Sequence, residues 1–128
     1  MESDNARIIL KEVWGYDNFL PKQEIIINSL LGKNDTIALL PTGGGKSLCY
    51  QIPGLCLNGL TVVVSPLISL ITDQVNGLNK IGLSAISLAG DYDQKSWDRF
   101  LDNAINGEYH FIYISPERSI SQKFLSRL

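Results

Sequence analysis

The chain lacks most of the features that would put it in a specialised class. None of its 128 residues belongs to an apolar run approaching the roughly 18 residues of a membrane-spanning helix. Its start, Met1-Glu2-Ser3-Asp4-Asn5, is acidic and polar, the opposite of a secretory signal. Neither export nor a membrane partner is expected. Cysteine is scarce: Cys49 and Cys56 stand seven apart, with no second pair and no histidine nearby. That is neither a zinc spacing nor a disulfide framework, so both read as reduced thiols of an intracellular protein, cytoplasmic or, in a eukaryote, nuclear. Histidine occurs once, at His110, at the head of an apolar strand where a structural role is expected. Positive charge is not in excess either: 11 Lys and Arg against 13 Asp and Glu give a net −2, with a pI near 5.3. A protein that binds nucleic acid by bulk electrostatics would be basic, so any such contact must come from local groups.

What the chain does have is alternation. Apolar residues make up 45% of it and mean hydropathy is +0.06, enough for one domain's core. Helices are expected over Asn5 to Trp14 and from Pro21 to about Leu31, with Gly32 as a cap. Short β-branched or apolar runs at 36–40, 60–64, 84–88 and 111–114 read as strands. The run at 60–64 has a buried-strand composition. Ser65 is a candidate cap and Pro66 a candidate first residue for a helix whose apolar stripe is Leu67, Leu70, Ile71, Val75 and Leu78. A further helix from about Asp93 carries Trp97, Phe100, Leu101, Ala104 and Ile105, and another is expected from Ser121 to Leu128. Strands alternating with helices imply parallel pairing with helices on both faces, and ligands beyond the carboxyl ends of the strands.

The most informative stretch is Pro41-Thr42-Gly43-Gly44-Gly45-Lys46-Ser47, set between an apolar run and the helix-compatible Leu48-Cys49-Tyr50-Gln51-Ile52. Strand, glycine-rich turn, Lys-Ser and helix make the context of a phosphate-binding loop. Glycines let consecutive N–H groups turn inward, and the helix adds its positive end. Lys46 would lie on the β- and γ-phosphates, and the Ser47 hydroxyl would help to hold Mg²⁺. The generic pattern places a glycine where this chain has Leu40.

Four stretches together resemble the RecQ family of ATP-dependent DNA helicases: Trp14 to Gln23, Leu40 to Pro53, Val63 to Val75, and Tyr113 to Arg118. Leu40 fits this group, which uses an apolar residue there. The resemblance implies a three-layer α/β, P-loop NTPase (RecA-like) fold with a mainly parallel sheet, here as an incomplete domain. Residues 1–33 would be a helical segment with the adenine-recognition motif, and 34–128 the P-loop core. It also implies ATP and Mg²⁺ as cofactors. Tyr16 would stack on the adenine, Gln23 would read its edge, and Pro41 to Leu48 would cradle the phosphates, with Lys46 in the catalytic role. Ser65-Pro66-Leu67 and Ser115-Pro116-Glu117-Arg118 would contact single-stranded or partly duplex DNA, weakly in this chain by itself.

The chain departs from the family in three places. Leu20 stands where an arginine is usual, removing charged contacts near the nucleotide. Leu88-Ala89-Gly90 replaces a segment that usually carries Asn-Ser. No Asp-Glu dipeptide occurs anywhere, so the Asp-Glu-x-His segment that holds metal and orients water is missing. The chain reads as the N-terminal portion of the first motor domain, able to bind nucleotide but not to hydrolyse it or to unwind DNA. An unpaired sheet edge would favour self-association. A non-catalytic interaction module, and another P-loop kinase or GTPase, are the competing readings.

Overall fold

Phe111-Ile112-Tyr113-Ile114 forms the centre of a parallel sheet and is buried at every position. A computed structural model of the chain describes residues 2–40, 45–57, 59–89, 94–119 and 126. They fall into two compact units, Met1–Asn58 and Gly59–Leu128.

The first unit is helical. Helix α1 spans Glu2–Ile9 and runs into a π-helical turn, Leu10–Trp14, ended by Gly15 in the left-handed region at φ 80°. Helix α2 spans Pro21–Leu31, with Pro21 at its first position, as expected. Its end is closed by two backbone bonds, Lys33 N–H to Leu30 O and Asn34 N–H to Ser29 O. That pairing needs a left-handed residue just past the cap, and Lys33 rather than Gly32 supplies it, at φ 62°. Helix α3 covers Leu48–Cys56, continuing through Pro53. Ala6, Leu10, Ile27, Leu31 and Ile52 bury one another as the core of this unit, so α3 packs with the first two helices.

Residues 36–40, expected as a strand, are not one. A strand exists by pairing, and among the described residues no other strand pairs with this segment. Ile37 and Leu39 are accordingly 95% and 91% exposed.

The second unit is the α/β part. Strands β1 (Thr61–Val64), β2 (Ala85–Ser87) and β3 (Phe111–Ile114) form a three-stranded sheet in the order β1-β3-β2, parallel throughout. Helix α4 (Ile68–Lys80) joins β1 to β2, and α5 (Gln94–Ile105) joins β2 to β3. The first crossover travels one way along the sheet and the second travels back. With right-handed connections this puts α4 and α5 on opposite faces. On the α5 face Trp97, Leu101 and Ala104 pack with Leu88, Ile112 and Ile114.

Two expectations need correcting. Helix α4 begins at Ile68, not at Pro66, because the Ser65 hydroxyl accepts from Leu67 N–H at 3.3 Å and closes a local turn instead of capping a helix. The apolar runs at 60–64 and 67–78 are also only partly covered: Ile71 and Leu78 are buried, whereas Val62, Val64, Leu67 and Leu70 are exposed. Among the described residues β1 is an edge strand, with β3 on one side alone, and so does not match the coverage of β3. The helix expected from Ser121 lies outside the described residues except at Ser126, and a short helix, α6, spans Pro116–Ser119.

Polar side chains fasten the other edge. Asn79 donates to Ala85 O at 3.2 Å and accepts from Ala85 N–H at 3.0 Å, standing in for a neighbouring strand. His110 Nδ1 accepts from Ser84 N–H at 3.1 Å, the structural role expected of it. Replacing Asn79 by Ala removes both partners of Ala85. The expected loss is about 1–3 kcal/mol in urea denaturation, with an unchanged m-value.

Candidate functional site

The turn into α3 carries the chemistry of the first unit. Pro41, Thr42, Gly43 and Gly44 lie outside the described residues; Gly45, Lys46, Ser47 and Leu48 are within them. Gly45 has φ +74°, a left-handed conformation costly for any side chain. Three bonds then tie the first turn of α3, Cys49 N–H to Lys46 O, and Tyr50 and Gln51 N–H to Ser47 O. The N–H groups of Gly45, Lys46 and Ser47 donate to no acceptor among the described residues. They stand unspent at the positive end of a nine-residue helix. Ser47 is helical at φ −63°, and its hydroxyl makes no capping bond. Phosphate needs such N–H groups, and a divalent cation needs such a hydroxyl, so these residues fit both.

Gln23 holds this turn from α2. Its side chain is 4% exposed and works at both ends. Oε1 accepts from Leu20 N–H at 2.9 Å, the returning half of a capping box, and Nε2 donates to Gly45 O at 3.3 Å. A Cβ on Gly45 would come within 2.1 Å of Nε2, the far end of a flexible side chain, so a larger residue here would have to displace the Gln23 amide from its bond to the turn. Cys49 Sγ approaches the same carbonyl at 3.8 Å, and burial raises its thiol pKa above the ordinary value.

Other expected nucleotide contacts sit in the loop before α2. Tyr16 is 57% exposed, its ring presented to solvent. Beside it Lys11 pairs with Asp17; the hydrogen bond first, and the charge second, lower the Asp17 carboxyl pKa. Leu20 caps α2 through its backbone alone, its side chain exposed. A cavity of about 330 Å³ also opens between α2 and α3, walled by Leu30, Thr36, Ala38, Leu40, Lys46 and Cys49. Its wall is mainly hydrocarbon, suited to apolar side chains rather than to phosphate.

In the second unit the register pairs Val64 with Ile114. Ser65-Pro66-Leu67 and Ser115-Pro116-Glu117-Arg118 therefore leave the sheet side by side, at the carboxyl ends of adjacent strands. Ser65 N–H donates to Ile114 O at 3.0 Å, linking them directly. Ser115 is buried, and its carbonyl accepts from Arg118 and Ser119 N–H. The Arg118 guanidinium carbon stands 5.2 Å from the centroid of the Trp97 ring. Of the segment after β2, Leu88 is buried, Ala89 N–H donates to Ser87 Oγ, and Gly90 lies outside the described residues.

The glycine-rich turn leads into α3 and the two Ser-Pro segments follow adjacent strands, the positions expected from the residues. Sequence reasoning missed that Gln23 is committed to Gly45 and that Trp97 meets Arg118. No local pattern signals either contact, since each joins residues about twenty apart.

The family model described as DEAD/DEAH box helicase matches residues 20–128. The chain is 41% identical over 124 residues to the ATP-dependent DNA helicase RecQ of Haemophilus influenzae, an alignment covering 97% of this chain and 20% of that protein. It is 46% identical over 119 residues to the ATP-dependent helicase wrn-1 of Caenorhabditis elegans, covering 93% and 11%. With the probable ATP-dependent DNA helicase RecS of Bacillus subtilis it shares 42% over 119 residues, covering 93% and 24%. The chain thus spans a quarter or less of these curated relatives.

The steric fit at Gly45 is testable in a double-mutant cycle. Gly45→Ala is expected to cost about 1–2 kcal/mol from backbone strain, and more from displacing Gln23. Adding Gln23→Ala should recover the second part only. Urea denaturation of the four proteins measures both, and simple additivity would show that the two residues do not press on each other.

Proposed function

This chain belongs to the DEAD/DEAH box helicase family, and on that premise we propose that it is the ATP-binding portion of a RecQ-like, ATP-dependent 3′ to 5′ DNA helicase. Unwinding, in recombination and repair, would be the work of the longer protein. The observation that carries this reading is the set of unspent N–H groups at Gly45, Lys46 and Ser47, opening α3 beside a buried amide.

Each role follows from chemistry. The N–H groups and the Lys46 ammonium bind phosphate oxygens. The Ser47 hydroxyl supplies one ligand to Mg²⁺, which offsets phosphate charge when bound. Tyr16 offers an exposed ring for stacking. Gln23 spends one N–H and one lone pair within the protein and has a second of each. An adenine edge can use that second pair, which would tie base recognition to the carbonyl of the phosphate turn. Ser65 to Leu67 and Ser115 to Arg118 form a two-strand ledge for the backbone of single-stranded DNA, with Arg118 as its cation. The proposed setting is intracellular.

Hydrolysis is another matter. An acid that holds metal and a group that orients water are both required, and no Asp-Glu pair occurs in these 128 residues. Binding without turnover is the expected behaviour. In titrations with a fluorescent ATP analogue, Lys46→Ala should weaken binding about tenfold or more, the scale of a lost charge-assisted hydrogen bond. Phosphate release should stay at background in both proteins; release that Lys46→Ala abolishes would overturn the claim of inactivity. Equal affinity for GTP, unchanged by Gln23→Ala, would favour a different P-loop class.

Self-association is also proposed, through β1, whose outer edge has no partner among the described residues and whose Val62 and Val64 are exposed. Sedimentation should give a mass that rises with concentration, and Val64→Lys should hold the chain monomeric. A parent that stays monomeric at its highest soluble concentration would exclude this.

A further inference from the structure

The contact between Trp97 and Arg118 has a shape that packing by itself does not account for. Trp97 is 5% exposed, on α5, against Leu88, Leu101, Ile112 and Ile114. Its Nε1–H is fully buried and finds no acceptor among the described residues. A donor left in that state is a liability, and phenylalanine would fill apolar space without it. What indole offers beyond phenylalanine is a stronger π face, the best of the side chains for holding a cation. A cation occupies that face: the Arg118 guanidinium carbon lies 5.2 Å from the ring centroid, inside the reach of about 6 Å for such pairs.

Arg118 sits on α6, a single four-residue turn leaving the carboxyl end of β3, and its side chain has many rotamers to lose. A ring fixed in the core is a rigid platform for it. Stacking engages the flat face of a guanidinium, whereas phosphate is recognised by the in-plane fork of N–H donors, so the two interactions do not compete for the same groups.

We infer that Trp97 is a positioning residue: its buried indole face sets the Arg118 guanidinium beside the ends of β1 and β3, in register with the backbone of a bound single strand. This rests on the reading above in which the strand-end ledge meets DNA. It adds a residue twenty-one positions upstream that touches no DNA itself.

The test is fluorescence anisotropy of a labelled oligothymidylate with the full 128-residue chain, across a salt series at low ionic strength. Arg118→Ala should lower the slope of log K against log salt by about 0.7, one phosphate contact on a single strand. Trp97→Leu, which keeps apolar bulk and removes the ring, should lower it equally; Trp97→Phe should lower it less. The Trp97→Leu, Arg118→Ala double variant should lose no more than Arg118→Ala. A parental slope in Trp97→Leu beside a reduced one in Arg118→Ala overturns the positioning role and spares the DNA reading. A parental slope in Arg118→Ala, or no binding by the parent, overturns both. If Trp97→Leu does not fold by far-UV circular dichroism, the emission of Trp97 in a Trp14→Phe background decides. It should change on adding the oligonucleotide, and should not in the further Arg118→Ala variant. Emission that stays still while anisotropy reports binding overturns the proposal.

Discussion

A turn that is to hold phosphate must keep several N–H groups unpaired, and unpaired backbone donors destabilise whatever fold contains them. On the reading proposed above, the first unit is organised around that constraint. The Gly45 carbonyl is pinned by the Gln23 amide, which also closes the entry of α2 at Leu20. One buried side chain therefore joins the start of one helix to the start of another. The core of Leu10, Ile27, Leu31 and Ile52 fixes the helices themselves. With its carbonyl side held, the turn can leave its amide side open. Gly45 has a left-handed backbone, and any side chain added there would also meet the Gln23 amide.

The second unit solves a related problem with strand ends. Parallel register places Val64 and Ile114 level, so the two Ser-Pro segments diverge from the sheet at one height. Each serine spends its polar groups locally: Ser65 on Leu67 and on the neighbouring strand, Ser115 on the short turn that follows. The loops are thereby shaped without basic residues, in keeping with the net charge of −2. Arg118 is the exception, and its guanidinium lies against the Trp97 ring of α5.

Much of this was legible in the residues. Strands β1, β2 and β3 lie within the runs at 60–64, 84–88 and 111–114, and α3 begins at Leu48, directly after the glycine-rich stretch. Legibility failed where structure depends on partners rather than on local preference. Thr36-Ile37-Ala38-Leu39-Leu40 has the composition of a strand, but β structure is a property of pairs, and no described strand lies beside it. The start of α4 was misplaced because a serine hydroxyl can close a turn as readily as it caps a helix, and Ser65 does the former. Gln23 was read as a base-recognising amide from resemblance; its engagement with Gly45 could not be seen, because contacts between elements leave no periodic trace. The same holds for Trp97, which reads as one more apolar position on α5.

Asn79 carries a consequence for how this sheet can grow. By imitating a neighbouring strand at Ala85 it stoppers the β2 flank, while among the described residues the β1 flank has no partner strand. If the chain self-associates as proposed, a joining strand would add beside Val62 and Val64, and one side-chain amide would give that assembly its direction.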